Sequence, residues 1–142
     1  MRHVWWYVAL LLFTAPLQAT ASDQAAAQVV VSPVLSTAIT ASGQPIVLPQ
    51  KDVHIVVSTY NIAKGAKLSE HKHPFARYAY VLAGRLQVTN VETGRSNIYK
   101  AGDFIVEAIG QSHQAANVGT GPVKLLVVDQ VEGDGGNTVV RP

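Results

Sequence analysis

The sequence predicts an all-β domain, a small antiparallel barrel or sandwich, and three observations carry the prediction. Runs of β-branched and apolar residues recur at short intervals with turn residues between them. No window of eleven or more residues keeps the 3.6-residue apolar period of an amphipathic helix. The 142 residues, 48% of them apolar and 14% charged, are enough for one domain with its own core and too apolar for a disordered chain.

Residues 1–21 stand apart from that domain. Arg2 and His3 precede ten apolar or aromatic residues from Val4 to Phe13; Pro16 breaks the run, and Ala19-Thr20-Ala21 supplies small residues at a cleavage site. This is the pattern of a secretory signal peptide. A bilayer span needs about 20 apolar residues, so no stable membrane anchor is expected. The mature chain is expected to be periplasmic or secreted after cleavage near Ala21. Residues 22–28 read as a flexible lead-in, 29–132 as the barrel and 133–142 as a C-terminal tail.

Within 29–132 the expected strands are 29–31, 34–39, 46–48, 53–62, 77–82, 86–91, 96–99, 104–109 and 123–131. Each is bounded by proline, glycine or a polar turn such as Glu92-Thr93-Gly94-Arg95. The Gly133–Gly136 stretch marks the mobile tail. Residues 29–31, all valine, would make a sticky edge strand alone, which predicts a homodimer.

Charge and cysteine usage narrow the function. Eleven Lys and Arg against nine Asp and Glu, with no basic run, exclude a nucleic-acid surface. Cysteine is absent, so thiolate metal sites, cysteine nucleophiles and iron–sulfur clusters are excluded, and any metal must be held by nitrogen or oxygen. His71 and His73 are two apart, and alternate side chains of an extended segment share a face. His113 follows forty residues later and can be brought to the same point across a barrel. Three neutral imidazoles suit Fe, Mn, Zn, Ni or Cu.

The glycines give the histidines a context. Gly65, His71, His73, Arg77 and Gly84 read Gly-x5-His-x-His-x3-Arg-x6-Gly. Gly102, Ala108, Gly110, His113 and Asn117 read Gly-x5-Ala-x-Gly-x2-His-x3-Asn. This two-part pattern resembles the two motifs of the cupins, differing only at Ala108, where they carry proline, and at Arg77, where they carry glutamate. The resemblance implies an antiparallel jelly-roll barrel with His71, His73 and His113 around one divalent transition metal. Asn117 is expected to cap a turn, and His54 to be a surface residue.

Arg77 breaks the pattern at its carboxylate, because a guanidinium cannot ligate a cation. Its strand parity with Ala79 and Val81 turns it into the barrel, where it needs a partner. Glu107, at the end of the apolar run Phe104-Ile105-Val106, is the expected partner; as the lesser alternatives it is the fourth ligand or lies in water. Arg77 and Glu107 are thus the catalytic candidates, one to stabilise developing negative charge and one as a general base. The function expected is that of an exported small-molecule metalloenzyme of dioxygenase, lyase or isomerase type, acting on a small and possibly anionic molecule. The alternative is a non-catalytic ligand-binding cupin or a metal-free interaction cupin.

Overall fold

A computed structural model describes residues 29–141. The chain divides into two units, 1–31 and 32–142. The expected signal peptide and lead-in lie outside the described residues. Val29, Val30 and Val31 are exposed and form no strand, so the edge-strand argument for a dimer loses its basis.

Nine strands make up the second unit: β1 (Val53–Ile62), β2 (Lys67–Lys72), β3 (Arg77–Ala83), β4 (Arg85–Asn90), β5 (Ser96–Lys100), β6 (Phe104–Val106), β7 (His113–Asn117), β8 (Val123–Glu132) and β9 (Val139–Val140). No helix occurs among the described residues. The strands form two antiparallel sheets, ordered β1-β8-β3-β6 and β5-β4-β7-β2-β9. The jelly-roll class is therefore as expected.

Alternation builds the core. In β8, Val123, Leu125, Val127, Asp129 and Val131 are buried while their neighbours are not. Val123, Leu125 and Val127 pack with Ala79 and Val81 of β3, Ile62 of β1, Ile105 of β6, and Leu86 and Ala115 from the other sheet. Gly84 joins β3 to β4 at φ +85°, and a Cβ there would lie 2.6 Å from the Pro122 carbonyl oxygen. Only glycine allows both that backbone conformation and that approach. Asn117 donates to the carbonyls of Ile62, Ala63 and Gly121, which is the expected capping role.

Both ends of the barrel differ from expectation. Residues 32–52 form no extended strand, only an isolated bridge between Ile39 and Pro45. Their apolar residues are too interrupted by proline to sustain a ladder. Conversely, the stretch expected as a C-terminal tail returns to the barrel. Asn137 is buried, β9 pairs with β2, and Arg141 forms an ion pair with Glu70 at 2.8 Å.

Candidate metal centre

The barrel interior gathers the histidines from neighbouring strands. His71 of β2 stands directly opposite His113 of β7, so the two rings lie on one face. His73 follows two residues on, where the Gly110 amide donates to its carbonyl. The ring centroids are 5.0 Å (His71–His73), 4.5 Å (His71–His113) and 4.8 Å (His73–His113) apart. All three are buried.

Glu107 enters from the opposite sheet. Its amide donates to the Arg77 carbonyl just past the end of β6, and its carboxylate reaches the histidines. Glu107 Oε2 lies 2.7 Å from His73 Nε2 and 3.4 Å from His113 Nε2. One ligand atom from each of His71, His73, Glu107 and His113 falls within 4.8 Å of the others.

The outer ring nitrogens are committed elsewhere. His71 Nδ1 contacts the Ser69 carbonyl at 2.6 Å, His73 Nδ1 the Asn137 carbonyl at 2.5 Å and His113 Nδ1 the Gln111 carbonyl at 3.0 Å. A carbonyl only accepts, so each Nδ1 carries the hydrogen and each Nε2 keeps its lone pair for the interior. His73 Nε2, His113 Nε2 and Glu107 Oε2 are buried with no aligned hydrogen-bond partner, although the two contacts are close. Buried acceptors facing one another are costly unless a proton or cation lies between them. Three nitrogens and one carboxylate oxygen form a suitable donor set for a divalent transition metal.

The electrostatics follow from the same packing. Burial lowers the pKa of His71, outweighing its bond to Ser69. Burial would raise that of Glu107, but the close approach of His113 and His73 holds it far below the usual carboxylate range. For His113 burial is outweighed by Glu107, and the pKa is raised. Without a cation between them the carboxylate is therefore ionised and His113 takes up a second ring proton more readily than usual.

Arg77 faces inward, as its parity requires, yet it does not contact Glu107 through its guanidinium. Its cross-strand neighbour in β8 is Asp129. Nε and one terminal nitrogen of Arg77 donate to the two Asp129 oxygens, each at 2.9 Å, and the same terminal nitrogen donates to Thr138 Oγ1. The guanidinium carbon also sits 5.6 Å from the Tyr60 ring centroid. The expected Arg77–Glu107 pair is thus replaced by Arg77–Asp129, and Arg77 is not a free cation for a substrate. Buried Glu107 is free for the cluster, so the reading that leaves it in water is also excluded.

Two residues beyond the motifs complete the surroundings. Asn137 bonds Asp129 through Nδ2 at 2.7 Å and brackets Phe75 by receiving its amide and donating to its carbonyl. These bonds hold the carbonyl that orients His73. Asp129 had a legible signal, an acidic residue at the inward parity of an apolar strand; Asn137 had none beyond its place after a glycine-rich turn. His54 is exposed beside Asp52, away from the cluster.

The cupin domain family matches residues 58–129, half of the chain. The chain is a cupin. No curated protein is significantly similar to it in sequence. Among solved structures, this cupin resembles a Klebsiella pneumoniae protein with a double-stranded β-helix domain at 23% identity and a TM-score of 0.52, over 81% of this chain and 99% of that one. It resembles the oxalate decarboxylase of Lactobacillus farciminis, solved as a formate complex, at 24% identity and a TM-score of 0.51, over 61% of this chain and 26% of that one. For the Bacillus subtilis oxalate decarboxylase, which has Mn(II) centres, the values are 23% and 0.51, over 61% of this chain and 23% of that one. The cupin thus spans about a quarter of either decarboxylase, and these likenesses bear on the fold.

Proposed function

We propose that this cupin binds one divalent transition metal through His71, His73, Glu107 and His113 and acts on a small, anionic molecule beside it, as a dioxygenase, lyase or isomerase. The observation that carries the reading is the set of buried, unpartnered donor atoms converging on one another. Mn(II) in one structural relative and formate in another support it. A metal in this position acts as a Lewis acid on an oxygen-bearing ligand. The chain does the rest. The Ser69, Asn137 and Gln111 carbonyls hold the rings by their Nδ1 hydrogens, Glu107 supplies the negative charge that three imidazoles lack, and apolar Val88 and Ile105 line the approach.

Metal analysis of the isolated protein tests the proposal. One equivalent of Mn, Fe, Co, Ni, Cu or Zn per chain is expected. Glu107→Gln should weaken binding by at least roughly 100-fold, beyond what loss of an outer-sphere partner costs. A protein that binds none of these ions, or a Glu107→Gln variant that binds as tightly as wild type, refutes it.

The proposal includes export to the periplasm or beyond after cleavage near Ala21, on the strength of the N-terminal sequence pattern, and N-terminal sequencing of exported protein checks it. It also includes a homodimer, supported by the edge of β1, which is unpaired among the described residues and whose Val53, Ile55 and Val57 are exposed. Light scattering that gives a monomer at micromolar concentration removes that part.

A further inference from the structure

The space beside the histidine cluster is small. The cavity that has Glu107 and His113 in its wall measures about 30 Å³, room for a water and about a tenth of the smallest ligand sites. Thr93, Arg95 and Asn97 of the β4–β5 hairpin line one part of it, and Ala41 and Ser42 another. Ala41 and Ser42 belong to no strand; they come from the segment ahead of β1. How that segment is fastened decides what can reach the cluster.

Residues 38–46 form a turn closed on itself. Ile39 bridges Pro45, the Ile46 amide donates to the Ala38 carbonyl, the Thr40 amide to that of Gln44 and the Gly43 amide to that of Thr40. Gly43, at φ +83°, allows the reversal. Three hydrogen bonds among the described residues fasten this turn to the barrel. The Ala41 amide donates to the Val106 carbonyl at 2.8 Å. The Gln44 side chain clasps Ile109, donating through Nε2 to its carbonyl at 2.8 Å and accepting its amide through Oε1 at 3.0 Å. Residues 32–37 before the turn, and Val47 and Leu48 after it, are exposed and belong to no ladder. Thr40 is the one buried residue of the turn, so releasing it uncovers little apolar surface. The strip that the turn clasps is part of the site: it begins at Glu107, and Gly110, next to Ile109, donates its amide to the His73 carbonyl.

We propose that residues 40–44 are a plug over the metal centre, released as one piece when Gln44 lets go of Ile109, and that anything larger than a water reaches Glu107 and His113 by that release. The bonds inside the turn keep its shape while the three outer bonds break, so opening costs a few hydrogen bonds and no strand. The plug deepens the proposed function and rests on it only for what enters.

The test uses the isolated protein freed of metal, its Gln44→Ala variant and, as a control in the same segment, Gln50→Ala, whose side chain bonds only the Leu48 and Pro49 carbonyls. Amide exchange at Ala41, whose own bond to Val106 both substitutions leave in place, reports release of the turn. Exchange at buried Val127 in β8 reports unfolding of the barrel. Acylation of His113 by diethyl pyrocarbonate, taken relative to exposed His54, reports what gets past. In wild type Ala41 should exchange well before Val127 and with little dependence on urea, and His113 acylation should follow Ala41 rather than Val127. Gln44→Ala should speed Ala41 exchange and His113 acylation alike by about ten- to a hundredfold, the worth of two hydrogen bonds, and Gln50→Ala should speed neither. Ala41 and Val127 exchanging together in wild type, a result that needs no variant to fold, overturns the plug. So does a Gln44→Ala protein whose Ala41 exchanges faster while His113 acylation is unchanged, because the turn then opens without being the way in. Uptake of added metal should quicken with acylation in Gln44→Ala. A protein that takes up none of Mn, Fe, Co, Ni, Cu and Zn, yet whose His113 acylation depends on Gln44, overturns the metal reading and leaves the plug standing.

Discussion

Removing one partner of the Arg77–Asp129 pair should destabilise the fold far more than removing both. Arg77 makes two bonds to Asp129 and a third to Thr138, each at 2.9 Å, and Asp129 receives a fourth from Asn137 at 2.7 Å. Both partners are buried. Burial disfavours the guanidinium charge, but the bonds and attraction from Asp129 win, and the Arg77 pKa is raised. Asp129→Leu strands a buried cation and Arg77→Met a buried carboxylate, each at a cost of about 3–5 kcal/mol. Near 4 °C per kcal/mol for a domain of this size, either single variant should melt about 12–20 °C lower. The double variant replaces the pair by apolar side chains of similar length and should lie within about 2 kcal/mol of wild type, giving a coupling of about 4 kcal/mol or more. Urea unfolding of the metal-free protein and its three variants measures the cycle. Additive effects, or a single variant within about 1 kcal/mol of wild type, would refute the reasoning.

Gly84→Ala should cost more than about 2 kcal/mol by thermal unfolding, because it adds a clash with Pro122 and Val123 to left-handed strain, whereas Gly102→Ala, with open space around it, should cost only the strain, about 1–2 kcal/mol. Asn137→Ala loses its bonds to Phe75 and Asp129; it should lower stability by about 2–3 kcal/mol and, by loosening the carbonyl behind His73, metal affinity by about 10–100-fold, and unchanged affinity by competition with a chelator would contradict that link. In the metal-free protein the lowered pKa of His71 gives stability that is full above the unfolded histidine value of about 6.5 and lost as pH falls. The raised pKa of His113 gives stability that is full below about 6.5 and lost as pH rises through its folded value. The two histidines together place a maximum near pH ~6.5, and bound metal should flatten its alkaline side by displacing the His113 proton; a monotonic pH profile of chemical denaturation would contradict this.

Much of the barrel was legible because its signals are local. The turns that end β3, β4 and β5 carry Gly84, Gly94 and Gly102, and the expected strands at 77–82, 86–91, 96–99 and 123–131 agree with β3, β4, β5 and β8 to within a residue or two. The convergence of His71, His73 and His113 was legible from their spacing to those glycines. What failed is non-local. The partner of Arg77 depends on which β8 residue faces β3, and no sequence interval encodes that register. Apolar residues in 29–48 suggested strands, but pairing needs a neighbour, and none pairs with them beyond one isolated bridge. The return of Asn137 rests on side-chain amide bonds to Phe75, sixty-two residues away.

That return sets an order of events. His73 receives its orienting carbonyl from a residue 64 positions later, and Arg77 reaches Thr138 across 61. During synthesis His71 and His73 emerge long before the strand that faces them, and Asn137 comes later still. The cluster is therefore finished only once the chain through Thr138 is available, because its last contacts close loops of more than sixty residues. A chain cut or stalled ahead of Asn137 has all its motif residues and still presents His73 without the group that aims it. Competence of the centre thus reports that synthesis has passed Asn137.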